Sequence, residues 1–254
     1  MKLLASDYDG TLRYAEDVMP EDIEAIKKWK EAGNMFVLVT GRSYESIEVQ
    51  IKKMGIDVDY VITNNGGMVF DGNGKVLSKN YLNYDSAVLI LSAVKGNESI
   101  ISYVVNDGIH RHRIILKEGA TDHRYKHLQP DWTEEYLLDN CAFAQIVLSC
   151  DDTHTALEIA DKINTMIDSV VAYPNNFVVD VVPEGVSKAT GMEFVSGYSG
   201  VDEKDIYTIG DGYNDIPLME YGMNGYVMFT ADEEVKMHAQ KEYNSIHELI
   251  EELM

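Results

Sequence analysis

The chain has 254 residues, with 21 Lys and Arg against 43 Asp and Glu, a formal net charge of −22. Hydrophobic residues at 45% and charged residues at 25% are globular values and exclude a disordered chain. The acidic balance excludes nucleic acid as a partner, because phosphate backbones demand clustered Lys and Arg. An anionic small molecule would also be repelled unless a site locally reverses the field.

Cys141 and Cys150 cannot staple a chain this long, so a reducing, cytoplasmic setting is expected. Met1 to Ser6 reaches Asp7 too early to hold a secretory signal, and the most apolar stretch, Ala87 to Val94, is too short to cross a bilayer. No membrane partner is expected, and a monomer is the default.

Lys2 to Ser6 is a short apolar run of the kind buried on both faces of a parallel sheet. Pro20 opens a helix in which Ile23, Ile26 and Trp29 recur at helical spacing, with Gly33 past its end. Met35–Val39 reads as a second strand, Ser43–Met54 as a helix and Tyr60–Thr63 as a third strand. This alternation predicts right-handed crossovers and an α/β fold with a doubly wound, Rossmann-like parallel sheet. Asp71-Gly72-Asn73-Gly74 between two apolar runs signals a hairpin. From Leu82 to Glu184 the pattern changes. A helix is expected at 84–95, strands near 100–105 and 110–116, and a strand at Phe143–Ser149. A helix at 152–166 and strands near 169–172 and 177–182 follow. Two helices among clustered strands predict an inserted α+β module at 82–184, within a domain formed by 1–81 and 185–254. The βα rhythm then returns: helix 187–197, strand Ile206–Ile209, a helix from 213, strand Tyr226–Phe229, and helices near 232–239 and 245–253.

Asp7-Tyr8-Asp9-Gly10-Thr11 directly follows the first strand, where ligands of open parallel sheets bind. Carboxylates at i and i+2 can divide the work. Asp7 can attack an electrophile, and Asp9 can carry a proton for the leaving group and later for water. Gly210-Asp211-Gly212-Tyr213-Asn214-Asp215 ends another apolar strand, and two acid clusters on neighbouring strand ends make an all-oxygen site suited to Mg²⁺. Thr40-Gly41-Arg42-Ser43 ends the second strand and starts a helix, where a hydroxyl and backbone N–H groups can hold phosphate oxygens. Lys188 opens the helix that re-enters the first domain and can neutralise a phosphoryl oxygen.

In this order, Asp-x-Asp-Gly-Thr, Thr-Gly-Arg, a lone Lys and Gly-Asp-Gly-x-Asn-Asp, the chain resembles the haloacid dehalogenase superfamily. Its large insertion, together with Thr63-Asn64-Asn65-Gly66-Gly67, is similar to the Cof-type branch with a C2B cap. The resemblance implies a phosphatase of small phosphorylated metabolites, sugar phosphates first. It implies Asp7 as nucleophile and Asp9 as acid/base. Gly10, Thr11, Thr40, Gly41, Arg42, Lys188 and Asn214 would bind phosphate or substrate. Mg²⁺ would be held by Asp7, the Asp9 carbonyl and Asp211, with Asp215 in support. The segment Val227-Met228-Phe229-Thr230-Ala231 departs from the Ala-Met-Gly-Asn-Ala of many relatives. A phosphosugar mutase would use the same intermediate. A receiver-like signalling module would also gather acids, Thr and Lys around Mg²⁺, but lacks an Asp two residues after the phosphorylated one.

His110 with His112, and His123 with His127, share strand and helix faces; they read as solvated surface, not as a metal site. From Ile109 to His127, five basic residues (Arg111, Arg113, Lys117, Arg124, Lys126) stand against Glu118 and Asp122. This basic island in an acidic chain is either outer surface or an attractor for an anionic substrate, in which case Arg111 and Arg113 would act from one strand face.

Overall fold

The computed structural model describes residues 1–14, 17–122 and 124–254. The chain begins with β1 (Leu3–Asp7), β2 (Arg13–Tyr14), β3 (Asp17–Val18), α1 (Pro20–Glu31), β4 (Met35–Val39), α2 (Tyr44–Met54), β5 (Tyr60–Thr63), β6 (Met68–Asp71) and β7 (Val76–Lys79). The middle stretch holds α3 (Tyr84–Val94), β8 (Ile100–Asn106), β9 (Arg111–Ile115), α4 (Glu134–Asn140), β10 (Gln145–Cys150), α5 (Thr153–Met166), β11 (Val170–Asn175) and β12 (Val178–Pro183). The last stretch holds α6 (Lys188–Ser199), β13 (Ile206–Gly210), α7 (Ile216–Glu220), β14 (Gly225–Met228), α8 (Glu233–Lys236), β15 (Lys241–Tyr243) and α9 (Ile246–Leu253). Two compact units result, Met1–Ser78 with Ser187–Met254, and Lys79–Val186.

The first unit is an α/β sheet of eight strands in the order β15-β14-β13-β1-β4-β5-β6-β7. Pairing is parallel from β15 to β5, and β6 then runs antiparallel to β5. β1 lies between two parallel neighbours, with Leu3 opposite both Met35 and Ile206. Every residue of β1 is buried, the condition its apolar run anticipates. Leu3, Ala5, Val37, Val39 and Ile62 pack with Met192 and Val195 of α6 and Leu218 of α7. α1 starts on Pro20, carries Glu21 and Asp22 in its first turn, and ends with Lys28 and Lys30, a charge order that matches the helix dipole. α6 is closed by a Ser187–Thr190 capping box at its start and by Gly200 in the left-handed region, φ 72°, at its end. That box fixes Lys188 at the first helical position.

The second unit is an antiparallel sheet, β11-β12-β10-β8-β9, with α3, α4 and α5 supplying Ala87, Ile90, Leu137, Ala156 and Ile159 to the core on one face. The opposite face carries Val104, Val147 and Val178, against which Tyr125 and Leu128 pack. Two expectations change here. Arg113 is buried, with Nη2 2.8 Å from Asp122 Oδ2 and Nη1 donating to the Tyr125 and Leu128 carbonyls at 3.0 Å. It holds Asp122 and the 125–128 segment to the sheet, so the basic island is partly internal structure. His112 is also buried, stacked on Trp132 at 3.6 Å with Nδ1 2.9 Å from Asp131 Oδ2, and is not solvated surface; His110 is exposed. His123 lies outside the described residues.

The remaining differences are short elements. The helix expected near 232–239 is the four-residue α8, and β2, β3, α4 and β15 were not expected. Among the described residues no helix is long and apolar enough to cross a membrane.

Candidate active site

The carboxyl ends of β1, β4, β5 and β13, neighbours in the sheet, bring together the segments singled out in the sequence. Asp7 is the last residue of β1, and its carboxylate Oδ1 lies 2.6 Å from Lys188 Nζ. The same ammonium donates to Asp215 Oδ1 at 2.5 Å. Asp215 in turn accepts from the Asp211 and Gly212 backbone N–H groups at 3.1 and 3.0 Å, which closes the turn after β13. Asp211 Oδ1 accepts from the Thr11 hydroxyl at 2.6 Å. Asp7, Asp211 and Asp215 each offer an oxygen within 4.8 Å of the others. Gly10 permits this approach: its φ is 98°, and a Cβ there would lie 2.1 Å from Asp211 Oδ2.

The electrostatics follow from burial. Lys188 is 1% exposed. Desolvation alone would push its ammonium towards neutrality, but Asp215 and Asp7 outweigh it and hold the group above the usual lysine range. At 2.6 Å and an effective dielectric of about 20, each such pair is worth about 6 kcal/mol before desolvation. Burial, then the Asp215 carboxylate, push Asp7 well above the usual carboxylate range, against the pull of Lys188. Burial and Asp215 push Asp211 to about 6, against the Thr11 hydrogen bond. Three carboxylates thus face a single ammonium, and the raised Asp7 and Asp211 mark the deficit of positive charge. An all-oxygen donor set with that deficit fits a hard divalent cation such as Mg²⁺.

Beyond β4, Thr40 Oγ1 accepts from the Arg42 N–H at 3.1 Å, so its own O–H can donate outward. Thr11 and Arg42, expected to bind phosphate or substrate, are engaged inside the protein: Thr11 on Asp211, and Arg42 through Nε and Nη2 on Asp9, both at 2.6 Å. The Asp9 side chain is held by Arg42 and Arg13 and is not one of the three clustered carboxylates, and only its backbone carbonyl was expected to meet a metal. Asn214 donates through Nδ2 to Asn65 Oδ1 at 3.0 Å. Gly41 lies under the Asn65 side chain, 3.1 Å from the place of a Cβ.

Residues 4–248 match the model of the haloacid dehalogenase-like hydrolases. The chain belongs to that family. It is 26% identical to a candidate phosphatase of Buchnera aphidicola subsp. Schizaphis graminum, over 92% of this chain and 86% of that one. It is 22% identical to a 5-amino-6-(5-phospho-D-ribitylamino)uracil phosphatase of Bacillus subtilis, over 93% of this chain and 90% of that one. Among solved structures, the HAD subclass IIB sugar phosphatase BT4131 superposes with a TM-score of 0.84 at 20% identity, covering 100% of this chain and 99% of that one.

Within this HAD-like frame, three side chains escaped the sequence reading of the site. Asn65 is one: Asn64, Asn65 and Gly66 take left-handed φ of 52°, 53° and 101°, and Asn64 and Asn65 donate their backbone N–H to the Arg42 and Thr40 carbonyls at 3.0 and 3.1 Å. The Asn-Asn-Gly-Gly run after the third strand is a signal for such a turn, since only Gly and Asn tolerate αL readily. Arg13 and Tyr8 are the others; the spacing of Arg13 from Asp9 is the sole hint of their pairing.

Proposed function

We propose that this hydrolase is a Mg²⁺-dependent phosphatase that cleaves small phosphate monoesters, sugar phosphates first, through an aspartyl-phosphate on Asp7. The observation that carries this reading is the Lys188 ammonium shared between Asp7 and Asp215, beside Asp211, at the carboxyl ends of adjacent parallel strands. The substrate class rests on relatives named for phosphate on a sugar or ribityl chain. In this reading, Lys79–Val186 is the C2B-type cap and the other unit is the catalytic core.

An Asp7 carboxylate oxygen attacks phosphorus in line, and the bond from phosphorus to the ester oxygen breaks. Asp9 gives its proton to the departing alkoxide. Water then attacks the aspartyl-phosphate, Asp9 takes a proton from it, and the bond between Asp7 and phosphorus breaks to release phosphate. Lys188 offsets charge on Asp7 and on the phosphoryl oxygens, while Thr40 and Asn214 orient those oxygens. The Asp7 and Asp211 carboxylates and the Asp9 carbonyl, supported by Asp215, would hold Mg²⁺, which supplies the positive charge that lets a carboxylate approach a phosphate dianion.

The test is release of inorganic phosphate from a panel of phosphate esters with Mg²⁺, alongside Asp7→Asn. Turnover on sugar phosphates that is lost in Asp7→Asn supports the reading. Comparable turnover in the variant ends the nucleophile assignment, and formation of an isomer without phosphate release makes the enzyme a mutase.

A further inference from the structure

The Asp9 carboxylate is gripped on both oxygens. Arg42 Nε lies 2.6 Å from Oδ2 and Arg42 Nη2 lies 2.6 Å from Oδ1, a side-on fork, while Arg13 Nη1 adds a third contact to Oδ1 at 3.1 Å. We propose that Arg42 is a positioning residue that aims the Asp9 carboxyl group for proton transfer, and not a ligand of the transferred phosphoryl group. This inference rests on the phosphatase reading above, in which Asp9 is the proton carrier.

The geometry of Arg42 supports a fixed clamp. Its backbone N–H is held by Thr40 Oγ1 at 3.1 Å, and its carbonyl accepts from Asn64 N–H at 3.0 Å. Its guanidinium carbon stands 4.9 Å from the centre of the Tyr8 ring. Tyr8 is buried, with its hydroxyl 3.3 Å from Gln50 Oε1 of α2, so the ring is a stationary platform. The side chain is thus fixed at its backbone, at its flat face and along its Nε–Nη2 edge. The Nε–Nη2 edge, one of the two coplanar edges by which a guanidinium forks onto an oxygen pair, is thus occupied by Asp9 and not by a phosphoryl group.

The fork matters because proton transfer requires the carboxyl oxygen within hydrogen-bond reach of the ester oxygen. An Asp side chain held by one contact can swing about its Cβ–Cγ bond; one held on both oxygens cannot. A point charge cannot reproduce this, since an ammonium has no planar edge. The proton path is unchanged: Asp9 gives its proton to the leaving oxygen as the ester bond breaks and regains one from water.

The experiment compares two esters that differ in their need for a proton. An alkyl ester, such as a hexose 6-phosphate, leaves as a strongly basic alkoxide, whereas p-nitrophenyl phosphate leaves as a weakly basic phenolate. Arg42→Gln should lower kcat/KM on the alkyl ester by about 10²-fold and on p-nitrophenyl phosphate by less than about fivefold. Inhibition by inorganic phosphate should stay within about twofold, because the phosphoryl ligands are untouched. Arg42→Lys should show the same selective loss, and Asp9→Asn/Arg42→Gln should be no slower on the alkyl ester than Asp9→Asn alone. Melting curves establish folding of Arg42→Gln; if it unfolds, Arg42→Lys carries the comparison. Equal losses on both esters, phosphate inhibition weakened about tenfold or more, or additive losses in the double variant would overturn the proposal while leaving phosphatase function standing. A wild-type protein that cleaves neither ester, or an Asp7→Asn variant as active as wild type, would overturn the phosphatase reading itself and this inference with it.

Discussion

Replacing Asp211 with Asn should make the metal-free protein more stable while removing its response to Mg²⁺. Asp211 is raised to about 6 by burial and by Asp215. Against an unfolded value near 3.9, that is about two units, or about 3 kcal/mol against the folded state at neutral pH. The sign is set by linkage. A carboxyl raised on folding costs nothing below the unfolded value, and its cost grows as pH rises from about 4 to about 6 and is complete by pH 7. Asn carries no such cost but accepts a weaker bond from the Thr11 hydroxyl, 2.6 Å away in the wild type, which returns about 1 kcal/mol. The net gain is about 2 kcal/mol at pH 7, roughly 4–8 °C in Tm, and it shrinks to about 0.5 kcal/mol near pH 5, where the wild-type cost has fallen by about half. Thermal and urea unfolding in chelator, at pH 7 and pH 5, measures this directly, and added Mg²⁺ should then stabilise the wild type alone. A variant no more stable than wild type at pH 7, or an advantage independent of pH, would refute the account of a carboxylate cluster short of positive charge.

Lys188→Met leaves Asp7 and Asp215 buried without their shared ammonium, and should cost about 3–5 kcal/mol at pH 7 by urea unfolding, with part of the loss recovered on acidification. Gly66→Ala places a Cβ 1.9 Å from the Ser187 carbonyl oxygen at a φ of 101°; it should lower Tm and turnover together, because Ser187 caps the helix that starts at Lys188. Arg113→Gln strips the buried Asp122 of its ion-pair partner, and should cost about 3–5 kcal/mol of stability in the Lys79–Val186 unit, read by limited proteolysis of that segment.

The strands that carry the site were legible because each is a continuous apolar run ending in a polar motif: Leu3–Asp7, Met35–Val39 and Ile206–Gly210 are buried along nearly their whole length. β15, Lys-Glu-Tyr at the sheet edge, carries no such run, and β2 and β3 are two residues each, below the span at which alternation can be read. In the site, strand-end position was enough to foresee that Asp7, Asp211 and Asp215 would lie near one another. It could not show which carboxylate Lys188 would meet, nor that Arg42 and Arg13 would close on Asp9. Those pairings depend on where long side chains end, and the Lys188 ammonium meets a carboxylate 181 positions away. Arg113 was misread for a related reason. Strand alternation gives its face but not the Tyr125–Leu128 segment that folds back over that face.

The net charge of −22 sharpens what the site must do. Two of the five basic residues of that segment in the second unit are drawn into ion pairs within the unit, Arg113 with Asp122 and Lys117 with Asp151 at 2.8 and 3.2 Å, so those two charges are countered there. In the first unit, Lys188 answers to Asp7 and Asp215, and Arg42 and Arg13 both answer to Asp9. The pairing leaves Asp211 as the carboxylate of the cluster met by a neutral hydroxyl instead of a cation. A phosphate dianion, the proposed substrate group, would therefore meet a site whose named cations are engaged and whose excess charge has its own sign. Under the proposed function, attraction has to come from a divalent cation recruited by the same carboxylates that would otherwise repel the substrate. Burial and the Asp215 carboxylate raise Asp7 and Asp211, so a divalent cation held there, as proposed, would relieve that mutual repulsion. Under the same proposal, dependence on metal would follow from the charge arrangement, which the buried lysine alone does not offset.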